Sequence, residues 1–165
     1  MLDIEIKILG VDELNDFREI RLSALAKAPA MFGSTYDVEI VKPLSFFQSC
    51  LSNSTIFGVY QKDRIIGLAA LIQESGIKLA HKAVLCSVFI EPEFQSQGIA
   101  TALLRAVIAY SHAQVEQVLL TVAADNQSAI KLYQKMGFEV YGVEKKALKN
   151  NNEYTDELLM KLFLR

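Results

Sequence analysis

The chain has 165 residues, of which 52% are hydrophobic and 22% are charged, and its formal net charge at neutral pH is −2. A chain of this length fits one domain that buries roughly 68–70% of its unfolded surface, so we expect a single domain over residues 1–165. Its 17 basic and 19 acidic residues include no long basic run, which argues against nucleic-acid binding, and no apolar run approaches the ~18 residues of a membrane span.

The N-terminus and the cysteines indicate the compartment. Residues 1–8 alternate acidic and apolar side chains and do not show the basic region followed by an apolar region of a secretory signal. Cys50 and Cys86 have no spacing typical of a metal site, either with each other or with His81 and His112. We therefore expect a cytoplasmic protein with two buried thiols and no metal.

The first half of the chain is predicted to contain a strand, two helices and a run of strands. Residues 2–9 alternate like a half-buried strand, and Asp12 is predicted to cap a helix that Pro29 must end. After a less regular stretch, Pro43 is predicted to open a second, short helix. Three further strands are predicted to form an antiparallel meander: 55–60, 64–73 and 83–90.

The second half changes to alternating helices and strands. The predicted helices and strands, in chain order, are 98–113, 117–123, 126–136 and 138–147. Crossovers of this kind produce parallel strands. A turn at 149–152 then returns the chain as a last antiparallel strand, 154–164. The fold class is therefore predicted to be α/β, in the form of a mixed α+β sheet.

Residues 95–100 read Gln-Ser-Gln-Gly-Ile-Ala and lie between a predicted strand and the start of a helix. The first N–H groups of a helix have no intrahelical partner and carry the positive end of the helix dipole, and Gly98 lets a phosphate approach the main chain. The loop therefore predicts a site for a phosphorylated cofactor. Neither a Walker loop nor a Gly-x-Gly-x-x-Gly motif occurs, which removes the usual support for nucleoside triphosphates and nicotinamide dinucleotides.

Two ordered motifs resemble the GCN5-related N-acetyltransferase (GNAT) family. Residues 95–100 match the family's pyrophosphate loop, (Gln/Arg)-x-x-Gly-x-(Gly/Ala). The family's later pattern, Asn-x-x-Ala-x-x-x-Tyr-x-x-x-Gly-Phe, is matched by Asn126, Ala129, Tyr133, Gly137 and Phe138. The resemblance implies one GNAT-like domain of about seven strands, with helices on both faces and a splay between the fourth and fifth strands where acetyl-coenzyme A (acetyl-CoA) would lie.

The same resemblance implies which residues hold acetyl-CoA. The main chain of Val88, Phe89 and Ile90 would pair with the pantetheine amides. Gln95 opens the pyrophosphate loop, and the backbone donors to the pyrophosphate would be Ser96, Gln97, Gly98, Ile99, Ala100 and Thr101. Asn126 would contact the cofactor arm, although capping its own helix is an equally good physical use of an asparagine there.

Tyr133 resembles the tyrosine that protonates the departing coenzyme A thiolate in many family members; the alternative is an aromatic core residue whose hydroxyl has found a partner. The implied function is transfer of an acetyl group from acetyl-CoA to a primary amine, on a small molecule or a peptide, by direct attack in a ternary complex. A covalent route through Cys86 has no identifiable histidine to support it. A non-catalytic acyl-CoA binding or sensing module stays open as the alternative function, and a structural α/β domain that binds another phosphorylated ligand is a third. Assembly into a homodimer also stays open.

The chain departs from the family at the cofactor loop and at the base. No Arg or Lys lies between positions 92 and 100, which leaves Arg105 and Lys131 as candidate phosphate contacts. Relatives carry the glutamate that acts as general base either early in the fourth strand or within the fifth. These positions correspond to Val84 and Thr121, and neither side chain accepts a proton. The remaining candidates for the base are Glu39, Glu91, Glu157, His81 and an ordered water, and the sequence does not decide between them.

Two segments resemble the acceptor side of family members. The first, a helix and the loop after it, comprises Arg21, Ala24, Leu25, Pro29, Phe32, Gly33 and Ser34. The second is the last hairpin, with Tyr154, Asp156 and Glu157. Acidic groups there would suit a cationic acceptor, although the solvated edge of a hairpin is a plainer explanation for them.

Overall fold

The computed structural model describes residues 3–165 and contains one seven-stranded sheet with the order β1-β2-β3-β4-β5-β7-β6. The strands are β1 (Glu5–Ile8), β2 (Thr55–Gln61), β3 (Arg64–Gln73), β4 (Lys82–Ile90), β5 (Gln117–Ala123), β6 (Glu139–Asn150) and β7 (Glu153–Phe163). The α-helices are α1 (Leu14–Lys27), α2 (Tyr36–Ile40), α3 (Leu44–Asn53), α4 (Ile99–His112) and α5 (Gln127–Lys135). The predicted fold class is confirmed.

Helices cover both faces of the sheet because strand residues alternate between two cores. On one face, Phe17 of α1 and Phe47 of α3 meet edge to face with ring centroids 6.1 Å apart, and Ile56 of β2 packs with them. On the other face, α4 and α5 pack against side chains that include Phe57, the next residue along β2. Neighbouring residues of a strand point to opposite faces, so one apolar strand serves both cores.

Two-residue turns join β2 to β3 and β6 to β7. Lys62 has a φ of 54° in the turn between β2 and β3, and the predicted meander of β2, β3 and β4 is confirmed. Asn151 and Asn152 have φ of 50° and 67° between β6 and β7. Two successive positive φ values give the type I′ geometry that matches the twist of a hairpin, and asparagine tolerates it better than most residues.

Strands β4 and β5 form a short parallel pair and then separate. Their register covers three pairs, Lys82↔Gln117, Ala83↔Val118 and Val84↔Leu119. Farther along, Ala70 of β3 pairs with Cys86 but Leu68 pairs with Phe89, so β4 carries one extra residue, and Ser87 there has a φ of 58°. Such a bulge bends its strand, and the expected gap between the fourth and fifth strands is confirmed.

The start of the first helix differs from its prediction. Asp12 does not cap α1; it lies in a 3₁₀ turn, Val11–Glu13, that Gly10 opens by donating its N–H to Oε1 of Glu13 at 2.7 Å. The side chain that stabilises the turn before α1 is therefore that of Glu13 and not that of Asp12. In the predicted strand 2–9, β1 covers Glu5–Ile8, and Leu2 lies outside the described residues.

The last hairpin changes the strand order that two crossovers suggest. The crossover through α5 does not place β6 beside β5; β7 lies between them and pairs antiparallel with both. Strand β7 carries the apolar run Leu158–Met160 and is mostly half-buried, whereas β6 is largely exposed and carries three lysines. Lysines at an edge hinder pairing with another chain, which explains why β6 forms the border. None of the helices in residues 3–165 has the length and apolar character of a membrane span.

Candidate active site

Two adjacent cavities open where β4 and β5 separate. The loop cavity has a volume of about 420 Å³ and lies against the residues between β4 and α4. The hairpin cavity has a volume of about 220 Å³ and is bounded by Arg21, Phe32, Thr121 and Glu157. The walls common to both are Met31, Val88, Asn126, Ala129 and Tyr133. The cleft therefore runs from the start of α4, past Tyr133, to the last hairpin.

The main chain before α4 presents a group of free donors. Ser96 has a φ of 62° and Gly98 a φ of 81°. The first hydrogen bond of α4 runs from Ala102 N to Gly98 O at 3.1 Å, and none of the N–H groups of residues 96–101 donates to an acceptor within residues 3–165. Successive N–H groups with left-handed residues among them form a concave site for an anion, at the positive end of a helix.

Gly98 leaves the space in front of this loop open. A Cβ built on Gly98 would meet no atom within 4 Å. The glycine is therefore needed for its positive φ and not for close packing against the protein.

Side chains of the loop hold it in place from outside. Gln95 donates from Nε2 to the carbonyl oxygen of Ile90 at 2.9 Å, and Gln97 donates from Nε2 to that of Glu93 at 3.3 Å. Gln97 does not line the loop cavity. Both glutamines therefore serve the loop's shape, and any contact they make with an anion would come from the main chain.

The structure brings nearly all predicted cofactor residues to one cavity. The loop cavity is lined by Val88, Phe89, Ile90, Gln95, Ser96, Gly98, Ile99, Ala100, Thr101, Asn126 and Tyr133. The two basic residues offered by the sequence as phosphate contacts, Arg105 and Lys131, do not line this cavity, and both are exposed. An anion in the loop cavity would therefore meet main-chain donors before any basic side chain.

Asn126 caps helix α5 and also lines both cavities. Its Oδ1 accepts hydrogen bonds of 3.3 Å from the N–H of Ala129 and from Oγ of Ser128. Its Nδ2 donates to no acceptor among residues 3–165 and remains available to a ligand. Capping and ligand contact thus use different atoms of one side chain.

Tyr133 has a buried ring and an accessible hydroxyl. The ring packs edge to face on Phe138 with centroids 5.8 Å apart. Within the described residues the hydroxyl has no hydrogen-bond partner and no buried side-chain oxygen or nitrogen lacks one, so the hydroxyl must reach the cleft. Burial, with a smaller contribution from Cys86, raises the pKa of Tyr133 to about 12. The hydroxyl is therefore protonated at neutral pH and able to give a proton.

Arg21 connects the wall of the hairpin cavity to a buried carboxylate. It donates from Nε and Nη2 to the two carboxylate oxygens of Glu39 at 2.9 and 2.8 Å, and from Nη1 to Oγ of Ser87 at 2.8 Å. Burial alone would raise the pKa of Glu39, but the hydrogen bonds from Arg21, together with one from Ser34, outweigh it and the pKa is lowered. Glu39 is therefore ionised, and both of its carboxylate oxygens are already bound to Arg21.

Two other candidate bases are also unsuited. Glu91 is buried and binds Lys27 at 2.8 Å and Oγ of Ser23 at 2.8 and 3.0 Å. His81 lies before β4, at the end of the parallel pair away from the cleft, where its carbonyl accepts from Glu116 and Gln117. Neither side chain lines the hairpin cavity.

Glu157 is the carboxylate that lines the hairpin cavity within the described chain. Its residue pairs with Ala123, at the end of β5, and on its other side with Glu144 of β6. Its side-chain carboxylate accepts no hydrogen bond and forms no ion pair within residues 3–165. Partial burial and, second, the charge of Glu144 raise the pKa of Glu157 above its ordinary value.

The other predicted acceptor-side residues divide between cavity and core. Phe32 and Gly33 line the hairpin cavity beside Arg21, whereas Ala24 and Leu25 are buried in the core below. In the hairpin, Asp156 accepts from Lys145 at 3.3 Å and from the N–H of Lys146 at 2.8 Å, while Tyr154 lies beside the ammonium groups of Lys146 and Lys149. These two residues stabilise the hairpin, with Asp156 bound to the irregular part of β6, and Glu157 faces the cleft.

Both cysteines are free and half-buried, and Cys86 lies in the wall of the hairpin cavity. Burial raises the pKa of its thiol, although a hydrogen bond with Ser87 opposes this effect. A protonated thiol is a poor nucleophile. Within residues 3–165 no group of three or more His, Cys, Asp or Glu side chains is placed to hold a metal.

Known proteins are similar to this chain in sequence and in fold. A family model described as Acetyltransferase (GNAT) family matches residues 21–138. An L-amino acid N-acetyltransferase of Escherichia coli (strain K12) is 38% identical over 73 residues, covering 43% of this chain and 45% of the relative, and a spermidine N(1)-acetyltransferase of the same organism is 28% identical over 97 residues, covering 58% and 52%. The chain thus matches about half the length of these two relatives.

A solved structure from Salmonella typhimurium, which contains its cofactor acetyl-CoA, superposes on the chain with a TM-score of 0.84. The two sequences are 17% identical, and the superposition covers 99% of this chain and 95% of the other. At this identity the likeness concerns the fold.

Proposed function

The chain belongs to the GNAT family of acetyltransferases, and we propose that it moves an acetyl group from acetyl-CoA to a primary amine by direct attack in a ternary complex. The observation that carries the proposal is that the N–H groups of residues 96–101, next to the gap between β4 and β5, have no acceptor among residues 3–165. When bound, acetyl-CoA supplies the acetyl group in activated form, as a thioester.

The loop before α4 would hold the pyrophosphate. Its free N–H donors line a concave surface at a helix N-terminus, and the space in front of Gly98 is open. A site with these features binds an anion without a basic side chain. Arg105 and Lys131 lie elsewhere, so the main chain and the helix dipole would supply the attraction.

The separated end of β4 would orient the cofactor arm. Val88, Phe89 and Ile90 line the loop cavity, and beyond Val84 no residue of β5 pairs with β4. A strand edge without a partner offers N–H and C=O groups to an extended ligand. The pantetheine amides fit this edge, and the acetyl group would then lie between the two cavities.

Tyr133 would act as the acid toward sulfur. It lies in the wall shared by both cavities and keeps its proton at neutral pH, because its pKa is raised to about 12. Because its hydroxyl has no partner in the described part of the chain, it is free to donate to the departing thiolate. Direct transfer is favoured over an acetyl-cysteine route because burial holds the Cys86 thiol in its protonated form.

The acceptor is proposed to be a small-molecule or peptide amine that enters the hairpin cavity. Two relatives are named for amine substrates, L-amino acids and spermidine. A cavity of about 220 Å³ holds the reacting end of such a molecule and leaves the remainder outside.

The proposal is tested by calorimetry with acetyl-CoA, followed by an assay of thiol release with L-amino acids, spermidine, aminoglycosides and short peptides. We expect micromolar binding and turnover with at least one amine. Binding without turnover of any amine would favour the sensing module, and an absence of binding would overturn the proposal.

A further inference from the structure

We propose that Glu157 is the general base that removes the proton from the acceptor amine. The assignment rests on the function proposed above. The observation that carries the assignment is that, among the described residues, Glu157 is the one acidic residue that lines the hairpin cavity. Its carboxylate has no partner within the described chain, and Tyr133 lies in another wall of the same cavity.

The register of the last hairpin aims Glu157 at the cleft. Glu157 is paired with Ala123, and residues directly opposite on antiparallel strands project to the same face. Thr121 lies two positions earlier on β5, so its side chain also projects to that face. All three residues line the hairpin cavity, and of them only Glu157 can accept a proton.

The other carboxylates near the cleft are already committed. Glu39 is held by two nitrogen atoms of Arg21, and Glu91 is held by Lys27 and Ser23. Taking a proton on either carboxylate would weaken these contacts inside the protein, which costs more free energy than protonating a carboxylate that has none.

The charges around Glu157 favour its role. Glu144 faces it across the hairpin, and the groups in the same cavity are the guanidinium of Arg21, which Glu39 neutralises, and the protonated Cys86 and Tyr133. The ammonium of Lys145 is bound to the neighbouring Asp156 and that of Lys146 lies over the ring of Tyr154, so neither lysine is paired with Glu157. A carboxylate beside a like charge in a partly buried site binds a proton more readily than an exposed one.

The proton balance uses both Glu157 and Tyr133. Glu157 takes one proton from the ammonium group and passes it to solvent. The freed nitrogen lone pair forms the bond to the acetyl carbon while the carbon–sulfur bond breaks, and Tyr133 gives its proton to the sulfur. The acylated nitrogen then gives a second proton to the tyrosinate, which restores Tyr133. The products are the amide, the thiol and one proton released to solvent.

The test compares Glu157→Gln with the native enzyme, using whichever amine of the panel turns over fastest. We expect kcat/KM for the amine at pH 7 to fall by about 100-fold or more, because general-base catalysis contributes roughly 10²–10⁴. Acetyl-CoA affinity should stay within about twofold in calorimetry. The variant's rate should keep rising with pH as the free amine becomes available.

Two neighbouring glutamates provide controls. Glu144→Gln removes the like charge, so the acidic limb of the kcat/KM profile should move to lower pH with a small change in the maximal rate. Glu153→Gln, at an exposed carboxylate of the same hairpin, should change neither. If the role of Glu157 were purely structural, the acidic limb of the Glu144→Gln variant would stay at the pH of the native enzyme.

The outcomes separate the two proposals. An active native enzyme whose Glu157→Gln variant keeps both its rate and its acidic limb would overturn this assignment and leave the proposed function intact. A folded native enzyme that binds acetyl-CoA but acetylates no amine would overturn both.

Discussion

Nη1 of Arg21 lies 2.8 Å from Oγ of Ser87, and this hydrogen bond ties α1 to the bulge of β4. Ser87 has a φ of 58°, and left-handed backbone at a non-glycine residue costs of the order of 1–3 kcal/mol. The same guanidinium binds Glu39 in α2. One side chain therefore holds together three segments around the place where the sheet opens.

Loss of Arg21 is expected to destabilise the protein strongly. Arg21→Ala leaves the buried carboxylate of Glu39 without its partner, which costs about 3–5 kcal/mol. Urea unfolding measures the change. Glu39→Gln is the matched control, because it removes the charge and keeps a polar group, and its effect should be smaller. A loss of less than about 1 kcal/mol in Arg21→Ala would mean that the pair does not hold the bulge.

The stability contributed by Glu39 should disappear in acid. Its pKa is lowered in the folded protein, whereas an unfolded glutamate titrates near about 4.3. Between these two values the unfolded chain binds more protons, so the free energy of unfolding falls as the pH falls. The difference in unfolding free energy between the native protein and Glu39→Gln should be full above about pH 5 and should shrink as the pH drops through the folded pKa. A constant difference between pH 7 and pH 3 would contradict this prediction.

Tyr133→Phe is expected to slow the chemistry and spare cofactor binding. The ring and its packing on Phe138 are kept, and only the proton donor is lost. We expect kcat to fall by about 100-fold, with the dissociation constant of acetyl-CoA nearly unchanged. Single-turnover thiol release and calorimetry measure the two quantities. An unchanged single-turnover rate would remove Tyr133 from the mechanism.

Substitutions at Gly98 should separate backbone strain from blockage of the anion site. Gly98→Ala places a Cβ in open space, and at a φ of 81° it costs about 1–2 kcal/mol of stability. Gly98→Glu carries the same strain and adds a negative side chain where the pyrophosphate would lie. Calorimetry should show retained binding of acetyl-CoA in the alanine variant and none in the glutamate variant. Equal affinity in two folded variants would mean that the cofactor binds elsewhere.

The two uses of Asn126 can be distinguished by a pair of variants. Asn126→Ser keeps an N-cap of similar quality, whereas Asn126→Ala loses about 1 kcal/mol of stability. Both remove the side-chain amide that is open to the cleft. We expect both to bind acetyl-CoA several-fold more weakly, as one lost hydrogen bond implies. Normal affinity in Asn126→Ser would limit the residue to capping α5.

The second half of the fold was accessible from the sequence because its boundaries carry local signals. Strand β5 occupies the predicted residues Gln117–Ala123, and α4 begins one residue after Gly98. The position of β6 was not accessible, because it depends on which hairpin strand buries more apolar surface against β5. Asp12 failed as a cap because the chain already turns at Val11, so Asp12 lies inside a 3₁₀ turn and not at the residue before it.

In the candidate site, too, the features set by neighbouring residues were predictable and those set by strand pairing were not. The loop residues adjoin one another in sequence, so a motif can find them. The bulge at Ser87 has no glycine to mark it, and the accessibility of Glu157 depends on its register with Ala123, across 33 intervening residues of chain. Contacts of this kind follow from strand pairing, which a single sequence does not specify.

The parallel contact of β4 and β5 spans three register pairs, so the sheet consists of two smaller sheets joined by a narrow seam. An extended cofactor arm along β4 would supply the rungs that the protein lacks there. Occupancy would then stabilise this narrow seam, and resistance to heat should rise with the concentration of acetyl-CoA. Release of the product would loosen the same seam, so each proposed turnover would stiffen and then relax the contact between β4 and β5.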